Sequence, residues 1–86
     1  MVYDSNTKNR IKRVEGQLRG ILKMMDEEKE CKEVVTQLSA VRSAIDRAIA
    51  VIVSSNLEQC IRDAVETGEE TSNYIDEAVK LLVKSR

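Results

Sequence analysis

The chain contains no histidine, no proline, no tryptophan and no phenylalanine, and only three glycines in 86 residues. Without histidine, a metal site has no imidazole to complete it. The chain also lacks a phosphate-binding loop and a paired-carboxylate constellation, so catalysis is not expected. Aromatic residues are limited to Tyr3 and Tyr74, which leaves an aliphatic and therefore thin core. No apolar run reaches the roughly 18 residues that a membrane span requires. The opening "MVYDSNTKNR" has no apolar signal region, so export is not expected. Cysteine is scarce too: Cys31 and Cys60 form no disulfide-scaffold pattern. Two such thiols fit a reducing cytoplasm, where cysteine is kept for reactivity or a metal more often than for a staple.

What is present is charge, 34% of residues, with a net of −1 that conceals an asymmetry. Lys8, Arg10, Lys12, Arg13, Arg19 and Lys23 face only Asp4 and Glu15 in residues 1–25, a local +4. The remainder carries a local −5. A basic segment on an acidic body fits a polyanion-binding face or a solvated helix surface. Glu27, Glu28, Glu30 and Glu33 read as an acidic surface turn rather than a hard-cation site.

The apolar residues recur with helical period in three blocks, so the expected class is all-α in a single domain, residues 1–86. The first block runs from about Thr7 through Ile11, Val14, Leu18, Ile21, Leu22 and Met25. Asp4, Ser5, Asn6 and Thr7 are all candidate N-caps. Gly16 and Gly20 inside this block each cost about 1 kcal/mol relative to alanine, which implies another backbone packed close by. "DEEKE" (26–30) breaks the pattern as a turn. The second block extends from Cys31 to Val65 and stops at Gly68, a residue suited to the position just past a helix end. "TGEETSN" forms the next turn, with Thr71, Ser72 or Asn73 as cap. Ile75, Ala78, Val79, Leu82 and Val83 mark a short third helix.

At about 1.5 Å per residue the second helix is roughly 50 Å long, more than two shorter helices cover. Its full-length apolar stripe therefore predicts an oligomer, most economically an antiparallel pair of long helices about a twofold axis. Ala40, Ala44 and Ala48 would let the two backbones approach near the middle.

Cys31 and Cys60 are 29 residues apart, close to eight helical turns, and so share a face. On one straight helix they are over about 40 Å apart and cannot meet. In the antiparallel pair, with the axis near Ile45 and Asp46, Cys31 faces Cys60 of the partner subunit, and the pair occurs twice. Asn56, one turn before Cys60, shares that face. Cys31 at a helix N-terminus with Lys29 and Lys32 beside it is the expected first nucleophile, although Glu28, Glu30 and Glu33 oppose the thiolate. Cys60 is the expected resolving thiol.

"RIKRVEGQLRGILKMM", "CKEVVTQLSAVRSAIDRA" and "NLEQC" together resemble the CsoR family of bacterial transcriptional repressors, from about residue 8 to residue 83. The resemblance implies a helical protomer, an antiparallel four-helix dimer and a homotetramer that binds operator DNA. It further implies an inducer acting at the intersubunit cysteine site. Copper sensors of the family use a cysteine, a histidine and a second cysteine, and their histidine aligns with Asn56. An amide is a poor ligand for a soft monovalent ion. Nickel and cobalt sensors rely on several histidines. Formaldehyde sensors pair a cysteine with an N-terminal proline, where this chain has Val2. The remaining branch is the persulfide-sensing one, similar to CstR, which keeps both thiols and lacks the copper ligand.

The expectation is thus a cytoplasmic repressor of sulfide-detoxification genes, switched by persulfides or polysulfides through Cys31 and Cys60, with Asn56 and Glu30 nearby. No resident cofactor or metal is expected. By the resemblance, Arg10, Arg13 and Arg47 match positions associated with operator binding, with Lys8 and Lys12 as further candidates; Glu15 or Asp46 pairing with Arg13 or Arg47 is the competing use. Two alternatives stay open: a Cu(I) sensor using the two thiolates, and a helical interaction module without DNA.

Overall fold

The computed structural model describes residues 1–85. Three α-helices account for nearly all of them: α1 (Ser5–Asp26), α2 (Cys31–Thr67) and α3 (Ser72–Lys84). Among the described residues there is no strand, and no helix is long and apolar enough to cross a membrane.

Local chemistry sets the helix ends. Of four candidate caps for α1, Asp4 is the one used: its Oδ1 accepts from the Thr7 backbone N–H at 2.8 Å. The Thr7 backbone and side-chain hydrogen bonds favour the carboxylate and hold the Asp4 pKa below 3.8. Glu30 caps α2 through its carbonyl, which accepts from Val34 N at 3.2 Å. Thr71 stands at the N-cap of α3 but makes no side-chain capping bond there.

The two turns close alike. Lys29 N–H donates to Met24 O (3.0 Å) and Glu28 N–H to Met25 O (3.0 Å), while Glu69 N–H donates to Ala64 O (2.8 Å) and Gly68 N–H to Val65 O (3.4 Å). Each is a Schellman ending, which requires one residue in the left-handed region. Gly68 takes that position with φ 75°, as its place in the sequence predicts. In the first turn Glu28 does so, with φ 57°.

Two compact units divide the chain, Val2–Ala48 and Ile49–Arg86, and α2 contributes to both. In the first, Val14 and Ile21 of α1 pack with Val41 of α2, flanked by Val34 and Ala44. In the second, Val53 and Ala64 of α2 and Ala78 of α3 are buried.

The small core leaves much aliphatic surface in water. Leu18 and Leu22 on α1, Val35, Leu38, Ile45 and Val65 on α2, and Val79 and Val83 on α3 are all exposed, Val65 to 69%. Two packing expectations need correction. A Cβ added at Gly16 or Gly20 would meet nothing within 4 Å, so no backbone of this chain packs closely there. Ala48 is 2% exposed and leaves no open surface for a second backbone, while Ala44 lies partly buried against the Val14–Ile21–Val41 cluster. Ala40 alone of the three is exposed.

Candidate functional site

Cys31 is the first residue of α2 and is exposed; Cys60, in the second unit, is half-buried, and both thiols are free. Glu30, beside Cys31, is exposed, and its backbone carbonyl caps α2 as a hydrogen-bond acceptor.

Cys60 sits in a narrow cleft of about 10 Å³ lined by Val53, Asn56, Leu57, Tyr74, Glu77, Ala78 and Leu81. Such a volume holds about one water-sized particle. The helical period brings Asn56 one turn before the thiol, and Cys60 Sγ donates to Asn56 Oδ1 at 3.9 Å, a weak sulfur hydrogen bond. Tyr74 closes the cleft from α3, and its hydroxyl donates to Glu69 Oε2 at 3.3 Å. The Glu69 carboxylate, first by its charge and then by that hydrogen bond, pushes the Tyr74 phenol above 10.0, with smaller contributions from burial, Cys60 and Asp63. Periodicity finds Cys60 and Asn56 but misses Tyr74 and Glu77, which reach the cleft only through the docking of α3. The one usable signal was that Tyr74 is one of two aromatics in the chain.

A second concavity lies in the first unit. Arg10, Arg13 and Gln17 of α1 and Ala40, Ser43, Ala44 and Arg47 of α2 line an open groove of about 320 Å³. No carboxylate lines it. Among the described residues the ion pairs are Arg19–Glu15 (3.9 Å) and Arg62–Glu58, so Glu15 does not pair with Arg13, nor Asp46 with Arg47. The groove thus gathers three guanidinium groups with no ion-pair partner among the described residues, donors in the fork geometry that suits phosphate. Lys8 and Lys12 are exposed but do not line it. Gln17, absent from the sequence-based candidates, does, and its Oε1 is buried without a hydrogen-bond partner.

Residues 3–84 match the family of metal-sensitive transcriptional repressors. The chain belongs to this family. Its members are repressors rather than enzymes, in keeping with the sequence-based expectation. The repressor is 62% identical over 63 residues to YrkD of Bacillus subtilis, covering 73% of this chain and all of that protein. It is 43% identical over 63 residues to the copper-sensing transcriptional repressor RicR of Mycobacterium tuberculosis, covering 73% of this chain and 66% of RicR. Among solved structures it resembles the nickel-responsive transcriptional regulator InrS, with a TM-score of 0.79 at 31% identity, over 96% of this chain and 92% of that one.

Among the described residues no three of His, Cys, Asp and Glu gather as a metal-binding group. The amide oxygen beside Cys60 is a hard donor unsuited to Cu(I).

Proposed function

We propose that this repressor is of the CstR-like, persulfide-sensing kind: it binds operator DNA as a dimer of dimers and releases it when sulfane sulfur oxidises Cys31 and Cys60 across a subunit interface. The genes it would release are those of sulfide detoxification. The observation that carries this reading is the partner of Cys60. Its thiol meets an amide oxygen at 3.9 Å, a neighbour that adds nothing for a soft metal.

The chemistry balances within the thiol–sulfur system. The Cys31 thiolate attacks a sulfane sulfur of a persulfide or polysulfide, forms Cys31–S–SH and expels the shortened thiol. Cys60 of the partner subunit then attacks the Cys31 sulfur, closes a disulfide and expels hydrosulfide. If Cys31 has collected two added sulfurs, attack at the inner added sulfur closes a trisulfide instead. In each case cysteine sulfur is oxidised and sulfane sulfur is reduced. The exposure of Cys31 and the half-burial of Cys60 suit this order of attack. A bridge between two long helices changes their spacing and favours a state with lower DNA affinity. The exposed aliphatic faces of all three helices support the assembly this requires, and the arginine groove supports the DNA contact.

Mass spectrometry of polysulfide-treated protein tests it. Interchain Cys31–Cys60 links carrying added sulfur, formed as DNA is released, are expected; two unmodified thiols with DNA still bound would reject it.

A second reading keeps the repressor and changes the inducer. Copper-sensing relatives such as RicR favour Cu(I), which Cys31 and Cys60 of the partner subunit would hold as two thiolates. Stoichiometric Cu(I) binding that also abolishes DNA binding would select this reading over the sulfur switch.

A further inference from the structure

Gln17 presents a buried side-chain oxygen without a hydrogen-bond partner in a chain whose core is otherwise aliphatic. Buried polar atoms are rarely left so, because desolvation is not repaid. The same residue lines the groove of Arg10, Arg13 and Arg47. An acceptor oxygen repels a phosphate, so Gln17 Oε1 cannot itself hold the anion that three guanidinium groups attract. It can hold one of the guanidinium groups. Arg13 precedes Gln17 by four residues on α1, the spacing at which helix side chains meet. Arg13 is exposed and in no ion pair among the described residues. A guanidinium has five donors in a planar fork, enough to serve a phosphate and an amide oxygen together.

We propose that Gln17 is a positioning residue of the groove: when a DNA phosphate enters, the Arg13 guanidinium turns inward, donating both to the phosphate and to Gln17 Oε1. Binding thus satisfies an acceptor that the free chain leaves unpaired, and Gln17 fixes the direction of the arginine without adding charge. This rests on the operator-binding reading above.

The test is a double-mutant cycle by fluorescence anisotropy, using a labelled duplex from upstream of the protein's own gene across a range of salt. Gln17→Met keeps the length and removes the acceptor. It is expected to weaken binding by about tenfold, the size of one hydrogen bond to a charged group. In an Arg13→Ala background it should cost nothing further. Arg13→Ala should reduce the salt slope by about one, while Gln17→Met should leave the slope unchanged. Wild-type affinity in Gln17→Met, or an equal loss in both backgrounds, would overturn the proposal.

Gln17→Glu gives a second reading if the methionine variant does not fold. Its carboxylate should draw Arg13 in without DNA and neutralise it, lowering the slope by about one; an unchanged slope counts against the pairing. Wild-type protein that fails to bind the duplex removes the operator reading and this proposal with it, whereas binding that ignores Gln17 removes the proposal alone.

Discussion

Asn56 Oδ1 and Cys60 Sγ lie 3.9 Å apart, one turn from each other on α2. The hydrogen-bond partner of this thiol is therefore a neutral amide. Asn56→His would place an imidazole at the same spacing and create a borderline nitrogen donor beside a soft sulfur. Cu(I) affinity, measured by competition with a chelator, should rise by at least about tenfold. An unchanged affinity would mean that position 56 does not face the bound ion.

The arginine groove yields a prediction about charge. Arg47→Ala should weaken binding to the duplex at every salt concentration and lower the slope of log affinity against log salt by about one. Lys8→Ala and Lys12→Ala, whose side chains lie outside the groove, should change the slope less. Equal effects from all three would assign binding to the general basicity of α1 instead.

Tyr74 supplies a pH dependence. Its phenol is held protonated above 10.0, chiefly by the Glu69 carboxylate. As pH rises past that ordinary value the unfolded chain ionises first, so stability falls until the folded phenol also ionises. In a Tyr3→Phe background, which leaves Tyr74 as the only tyrosine, Glu69→Gln should lower the midpoint of an alkaline absorbance titration toward the ordinary value. A midpoint that does not move would remove Glu69 as the cause.

The two Schellman turns predict opposite outcomes for opposite substitutions. Glu28 occupies a left-handed position with φ 57°, so Glu28→Gly should stabilise the fold by about 1 kcal/mol. Gly68 occupies the equivalent place with φ 75°, so Gly68→Ala should cost about the same. Chemical denaturation of the two variants reads both.

The helices were legible because their signals are local. Cys31 and Gly68 bound α2 as periodicity and end chemistry predict. Cys60 and Asn56 fall together for the same reason, since one turn of helix fixes both. The first turn was legible as a break but not as a left-handed glutamate, because acidic residues in a turn do not announce a backbone conformation. Tyr74 and Gln17 were missed because the cleft and the groove they line each form only where two helices meet, and the rotation of one helix against its neighbour is not written in either stretch alone. The glycines misled within this chain: Gly16 and Gly20 suggested a close neighbour, and open space surrounds both.

The aliphatic residues left in water tie this protein's durability to its supply. Any surface that covers Val65, Leu22 or Val79 lends its binding energy to the folded chain by mass action. Dilution, as when a dividing cell outpaces synthesis, withdraws that support. Scarce copies would then be lost to proteases sooner than abundant ones, making turnover a second control on repression beside any inducer.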